Sequence, residues 1–151
     1  MKVDIYLEVV CLMNPGVAGW GVVILGEGIY KKMSGGDLKT THNRMYLIAA
    51  ITALEALENS CEGSLYTDSK YLCDGITTWI KNWEKRGWKT AKNKPVENKD
   101  LWKRLKELSD KHRIKWIWTP KQAASAGYER EDAIDLAQKA MEDNSLIQLQ
   151  K

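Results

Sequence analysis

The first third of the chain alternates apolar and polar residues in a pattern that predicts three strands. Residues 3–11 are rich in apolar and β-branched side chains, as in a central strand. An Asn14-Pro15-Gly16 turn closes that strand. Residues 20–25 and 29–33 follow around a glycine-containing turn, and they predict an antiparallel meander that ends at Gly35-Gly36.

The apolar period then changes to that of helices. Apolar residues recur at helical spacing across residues 43–57, with Thr41 as the expected N-cap. Further helices are predicted at 69–80, 101–108 and 129–141, and further strands at 64–67 and 113–118. This order predicts an α/β fold with a five-stranded mixed sheet flanked by helices.

Length and composition set the broad class. A chain of 151 residues fits one domain, here expected to span residues 1–141, with 142–151 as a loose tail. The N-terminus lacks the apolar core of a signal peptide, and no apolar run approaches the ~18 residues of a membrane span. Three irregularly spaced cysteines favour reduced thiols and a cytoplasmic protein.

A basic segment at residues 81–99 is interleaved with tryptophan. Its Lys and Arg residues lie among Trp79, Trp83 and Trp88, with few aliphatic residues between them. A solvated charged face is the ordinary explanation of such a run. The tryptophans instead favour a protruding element that contacts phosphates and is held to the domain by packed rings. The net charge of +3 is too small to decide between these two interpretations.

Two carboxylates stand out before any family is considered. Glu8 lies inside the apolar run of the first strand, where burial of an unpaired charge costs several kcal/mol. It therefore needs a partner, or it is a relic of a former site. Asp68 follows the predicted strand 64–67 directly, a position typical of site residues, although it could equally be the N-cap of the next helix.

Several motifs together resemble the type 1 ribonuclease H family, bacterial branch. They are CLMNPG at 11–16, THNRMYLIAAITALEAL at 41–57, YTDSKY at 66–71, the basic segment and its flanks at 75–102, IKWIW at 114–118 and YERED at 128–132. The resemblance implies a ribonuclease H-like fold whose basic, Trp-rich protrusion grips nucleic acid. It also implies cleavage of the RNA strand of RNA–DNA hybrids by two divalent metals, held by Asp, Glu, Asp and Asp in chain order and helped by a mobile His.

Matched to that pattern, the catalytic positions are only partly kept. Asp68 and Asp132 match the third and fourth carboxylates unchanged, whereas Glu8 stands where the family has Asp and adds a methylene. Tyr46 stands at the family's Glu, and a neutral phenol is a poor ligand for Mg²⁺ or Mn²⁺. Gln122 stands at the mobile His and cannot shuttle a proton.

Each of these residues also has a purely structural explanation. Asp132 could complement the dipole of the last helix. Tyr46 could be an inward packing residue that fills the former metal cavity beside Val9 and Val10. Glu8 has the weakest structural explanation. The metal-binding prediction is therefore a weak site or none at Glu8, Asp68 and Asp132.

The resemblance also assigns residues that contact nucleic acid. Thr41 and Asn98 match positions near DNA phosphates, and Asn14, Asn43 and Lys70 match positions on the RNA strand, where 2′-OH contacts distinguish RNA from DNA. His42 replaces a family Asn in that set, and a solvent-facing or capping role is the alternative for it. The protrusion contributes Trp79, Lys85, Arg86 and Lys89.

Three hypotheses follow. The first is a ribonuclease H-like protein, monomeric and catalytically dead or strongly impaired, that retains salt-sensitive binding to RNA–DNA hybrid or another duplex. The second is an active metal-dependent ribonuclease H with a reduced three-carboxylate site. The third is an engineered or relaxed scaffold without nucleic-acid function, since loss of active-site residues to apolar ones raises stability.

Overall fold

A computed structural model describes residues 1–120 and 127–149 and contains a five-stranded sheet of order β3-β2-β1-β4-β5. The strands are β1 Lys2–Cys11, β2 Gly16–Gly26, β3 Ile29–Thr40, β4 Glu62–Thr67 and β5 Arg113–Trp118. β1, β2 and β3 form an antiparallel meander, and β1, β4 and β5 are parallel. The predicted mixed α/β sheet is confirmed.

The helices cover both faces of this sheet. They are α1 His42–Glu55, α2 Lys70–Asp74, α3 Ile80–Lys85, α4 Lys99–Ser109 and α5 Gly127–Leu149. Thr41 is the N-cap of α1, as predicted, because its hydroxyl accepts a hydrogen bond of 3.1 Å from the Arg44 N–H. In the described part of the chain, no helix is both long and apolar enough to cross a bilayer.

The predicted end of the third strand at Gly35-Gly36 is wrong, because β3 continues to Thr40. Both glycines are required by packing rather than by a turn. A Cβ on Gly35 would lie 2.7 Å from the Trp20 Nε1 atom, and one on Gly36 would lie 2.4 Å from the Asn144 Nδ2 atom. Glycine therefore lets β3 pass close to its neighbours at this point.

Two predicted helices also differ in extent. The predicted helix 69–80 is divided by a π-helical turn at Gly75–Trp79 that joins α2 to α3. Gly75 leaves room there for Trp102, since a Cβ would lie 2.0 Å from the Trp102 ring. The last helix does not stop at residue 141 but runs to Leu149.

The two faces of the sheet are covered differently. Val3, Ile5 and Leu7 of β1 are buried in the main hydrophobic core together with residues of α1 and α4. α5 covers the other face, where a Cβ on Gly21 would lie only 2.1 Å from the Ala133 carbonyl oxygen. Because side chains alternate along a strand, Glu8 points to the same face as α5.

Candidate functional site

Strand register brings Glu8 and Asp68 to the same edge of the sheet. β1 and β4 are parallel, and Leu7 pairs with Thr67. Glu8 follows Leu7 within β1, and Asp68 follows Thr67 directly after the end of β4. Glu8 is buried, and its cross-strand neighbour on β2 is Gly21, over which the α5 backbone packs closely.

Arg130 is the partner of the buried Glu8. The Arg130 Nε atom donates to Glu8 Oε1 at 2.6 Å, and Nη1 donates to the Pro120 carbonyl at 2.7 Å. The side chains of Arg130 and Glu8 are only 6% and 5% exposed. This ion pair joins the first turns of α5 to the centre of β1, so Glu8 carries a structural contact and is not an idle remnant.

Sequence reasoning did not find Arg130. A carboxylate in an apolar strand signals that a cation is needed, but the two residues are 122 positions apart, and the chain has 23 Lys and Arg residues. The available signal was the YERED motif itself, because its Arg lies two residues before Asp132, on the helix expected to reach the site.

Tyr46 is hydrogen-bonded to the second carboxylate, Asp68. Its hydroxyl donates a hydrogen bond to Asp68 Oδ1 from a buried position on α1. Burial of the phenol raises the pKa of Tyr46 above its ordinary value, and the nearby charges of Asp68 and Glu8 raise it further. Tyr46 is therefore neutral at pH 7 and acts as a hydrogen-bond donor. Its inward, packed position agrees with the structural explanation given above.

Asp68 is not the N-cap of α2. That role belongs to Ser69, whose hydroxyl accepts a 3.0 Å hydrogen bond from the Leu72 N–H. The alternative interpretation of Asp68 as a cap is therefore wrong. Its backbone carbonyl accepts a 3.1 Å hydrogen bond from the exposed Trp118 indole, which fixes β5 beside it.

Asp132 lies on a different side of α5. Its carboxylate accepts a hydrogen bond from the Tyr30 hydroxyl and lies 3.3 Å from Lys32 Nζ, both on β3. The Tyr30 hydrogen bond and the Lys32 charge lower the pKa of Asp132. β2 separates β3 from β1, so Asp132 is directed away from Glu8 and Asp68. Gln122 lies outside the described residues.

This donor set does not fit a two-metal site. Among residues 1–120 and 127–149, no group of three acidic, His or Cys residues is arranged to hold a metal ion. Two Mg²⁺ ions ~4 Å apart require several carboxylate oxygens directed at them. Here Glu8 is directed to a guanidinium, Asp68 to a phenol and Asp132 to β3.

The residues matched to nucleic-acid contacts gather around the start of α1. The Asn14 side-chain oxygen accepts a 3.0 Å hydrogen bond from the His42 N–H, which ties the β1–β2 turn to this helix. Asn98 accepts from Arg44 Nη1 and donates to the Tyr71 hydroxyl, both at 3.2 Å. Thr41, Asn43 and Lys70 are exposed.

The basic protrusion has an aromatic base and an exposed cationic surface. The Trp83 ring lies 6.0, 6.3 and 5.5 Å from those of Trp79, Trp88 and Trp102. Trp102 is fully buried, so this cluster joins the protrusion to the main core, as expected. Lys85, Arg86 and Lys89 are exposed around it, and Trp79 is 36% exposed.

Comparison with known proteins agrees with this fold. The family model described as RNase H matches residues 1–142. A ribonuclease H of Nitrosococcus oceani is 48% identical over 132 residues, which cover 87% of this chain and 90% of that protein. The chain therefore belongs to the ribonuclease H family.

Solved structures show the same architecture. LC9-RNase H1, a type 1 RNase H with the type 2 active-site motif, has a TM-score of 0.82 at 28% identity, over 95% of this chain and 73% of that one. LC11-RNase H1 in complex with an RNA/DNA hybrid has a TM-score of 0.69 at 20% identity, over 93% and 97% of the two chains, and this shows a likeness of fold.

Proposed function

We propose that this protein is a ribonuclease H-fold protein whose hydrolytic activity is lost or strongly reduced and which still binds RNA–DNA hybrid in a salt-sensitive way. The observation that carries the proposal is the buried ion pair of Glu8 with Arg130. A carboxylate that neutralises a buried guanidinium cannot also serve a divalent ion without breaking that pair.

Two other positions also lack the family's catalytic groups, and this lowers the expected rate of hydrolysis further. Tyr46 supplies no negative charge, and Gln122 supplies no titratable proton near neutral pH. Removal of a ligand and of an acid/base group costs orders of magnitude in rate, and one loss does not compensate the other. The family's metals, Mg²⁺ or Mn²⁺, would therefore bind weakly or not at all at Glu8, Asp68 and Asp132.

Hybrid binding is supported by the protrusion and by the surface around α1. Lys85, Arg86 and Lys89 are exposed cations on an aromatic base, and contacts of Lys and Arg with phosphates give affinity that falls with salt. The family fold binds this ligand in LC11-RNase H1, whose structure holds an RNA/DNA hybrid. We also propose a monomer in the cytoplasm, and the free thiols of Cys61 and Cys73 support the cytoplasmic setting alone.

The test is a pair of assays on the whole chain. Cleavage of a labelled RNA–DNA hybrid in Mg²⁺ and in Mn²⁺ is compared with the Nitrosococcus oceani ribonuclease H, and binding is measured by fluorescence anisotropy at several salt concentrations. We expect cleavage at least about 100-fold slower than that of the relative, with binding that weakens as salt rises. Cleavage at the relative's rate would refute the proposal.

A second candidate is an active enzyme that uses Glu8, Asp68 and Asp132 with Mn²⁺. The 48% identity to a named ribonuclease H and the two unchanged Asp residues favour it. It predicts that Tyr46→Glu alone raises the cleavage rate sharply. A scaffold without nucleic-acid function instead predicts no hybrid binding at low salt, so the same two assays separate all three functions.

A further inference from the structure

We propose that Arg130 replaces the metal ion as the cation of this site, so that α5 is fastened to β1 by the chain's own charge and not by a divalent ion. The inference rests on the proposed function and extends it, because it names the group that displaces the metal. It also gives Glu8 a defined role, as the counter-ion of Arg130.

The local geometry brings α5 close to Glu8. Gly21 is opposite Glu8 on β2, and the helix backbone at Ala133 approaches so closely that no Cβ fits between them. Arg130 lies one helical turn before Ala133, hence on the same face of α5. Its side chain therefore enters beside Gly21, where the carboxylate of Glu8 meets it at 2.6 Å.

The extra methylene of Glu8, compared with Asp, extends its carboxylate toward Arg130. An Asp at this position would end about one C–C bond short of where Glu8 ends, and it would reach the guanidinium less well than the 2.6 Å contact observed. The family's Asp suits a metal near the strand, whereas Glu suits a cation held by the helix.

Two of the three guanidinium nitrogens of Arg130 donate hydrogen bonds within the protein. Nε and Nη1 donate hydrogen bonds to Glu8 and to the Pro120 carbonyl, whereas Nη2 is buried and has no hydrogen-bond partner among residues 1–120 and 127–149. The charge of Arg130 is therefore balanced by Glu8 in a region with little access to water. A divalent ion at Glu8 would meet a fixed positive charge, and like charges at close range oppose binding.

The experiment removes the guanidinium and supplies manganese. Titration calorimetry with MnCl₂ and thermal melts with and without MnCl₂ are made on the wild-type chain and on Arg130→Gln. We expect no saturable Mn²⁺ binding below millimolar and no melting shift in the wild type. We expect Arg130→Gln to melt about 6–20 °C lower and to regain about 5–10 °C at a hundredfold excess of Mn²⁺ over its Kd.

Two control variants test the charge argument. Arg130→Lys keeps a cation at this position and should remain insensitive to Mn²⁺. The double variant Glu8→Leu/Arg130→Leu removes both charges, so it should melt near the wild type and also ignore Mn²⁺. Mn²⁺ binding by the double variant comparable with that of Arg130→Gln would refute the assignment, because Glu8 would then not be the ligand.

Poor folding of Arg130→Gln does not prevent the test. The variant is then refolded in MnCl₂ or in NaCl of equal ionic strength and followed by circular dichroism. Recovery in MnCl₂ alone supports the proposal, and recovery in neither or equally in both overturns it.

Different results would overturn this inference and the proposed function. Wild-type cleavage of hybrid at an ordinary rate overturns the proposed function. A thermal midpoint of Arg130→Gln that Mn²⁺ does not move, or wild-type Mn²⁺ affinity equal to that of Arg130→Gln, overturns only the role of Arg130.

Discussion

The basic protrusion and the carboxylate edge of the sheet differ in whether their charges are exposed to solvent. In the protrusion, Lys85, Arg86 and Lys89 are exposed above packed tryptophans. At the edge, Glu8 is buried against Arg130, and Asp68 accepts a hydrogen bond from the Tyr46 hydroxyl. Both regions are charged, but only the protrusion presents its charge to a ligand from solution.

This difference indicates how binding and catalysis can be lost independently within one fold. Exposed cations attract phosphates whatever the state of the catalytic edge. A metal site instead needs several anions directed at a common point, and a single internal cation is enough to redirect one of them. The following predictions test whether the two regions are in fact independent.

The largest effect is expected from rebuilding the edge while the protrusion is left alone. The rebuilt variant carries Glu8→Asp, Val9→Gly, Val10→Ser, Tyr46→Glu, Gln122→His and Arg130→Gln, so that no buried cation opposes the metals. It should cleave hybrid about 100-fold to 10,000-fold faster than the wild type, because it regains ligands and an acid/base group. Hybrid affinity measured in EDTA should not change. Tyr46→Glu alone is the control, and an equal gain from it would show that the other five changes are unnecessary.

The next effect concerns the buried pair. Glu8→Gln should lower the free energy of unfolding by about 3–5 kcal/mol, because it leaves the Arg130 charge buried without its counter-ion. Urea denaturation measures this loss, with Glu62→Gln, an exposed carboxylate on β4, as a control that should change little. A loss below about 1 kcal/mol would mean that the pair is as weak as a surface ion pair.

A smaller effect is expected at Tyr46. Tyr46→Phe should cost about 1.5–3 kcal/mol, the value of a hydrogen bond to a charged group. Because the pKa of Tyr46 is raised in the folded protein, its contribution is complete below the unfolded value of about 10 and falls as pH rises above it. The variant should therefore lose less stability than the wild type between pH 9 and about 11.

Tyr128→Phe is the matched control for that measurement, because Tyr128 is exposed on the surface. It should follow the wild-type stability curve in urea at each pH. If Tyr46→Phe also follows that curve, the hydrogen bond to Asp68 does not stabilise the fold.

The smallest effect is expected in the protrusion. Charge reversal of Lys85, Arg86 and Lys89 to Glu should weaken hybrid binding about tenfold and reduce the salt slope by about 0.9 for each phosphate that the variant no longer neutralises. The control reverses Lys31, Lys111 and Lys139, which are also exposed but lie outside the protrusion. Equal weakening by both triple variants would indicate an effect of net charge alone.

Local sequence signals predicted most strands and α1 well, because strand alternation and helix capping depend on residues close along the chain. Thr41 caps α1 through the N–H three residues later, and alternation within β1 determines which side chains are buried. The glycines were harder to interpret. Gly35 and Gly36 have the composition of a turn, yet they are needed so that β3 can pass Trp20 and α5.

The site was only partly predictable for a related reason. Family matching identified Glu8, Tyr46 and Asp68 as neighbours, and the register of β1 and β4 brings the two carboxylates together. The direction of each side chain on α5 depends on how that helix rests on Gly19 and Gly21. Local sequence does not encode that placement, so neither the Glu8–Arg130 contact nor the contact of Asp132 with β3 was foreseen.

The buried pair also constrains how this sequence can evolve. Loss of either charge alone leaves the other stranded in the interior, so single substitutions at Glu8 or Arg130 carry a heavy fitness cost through reduced stability. The effect of replacing Glu8 by Asp therefore depends on the residue at position 130, and the replacement costs less once Arg130 has changed. The pair is thus a source of epistasis between positions 8 and 130.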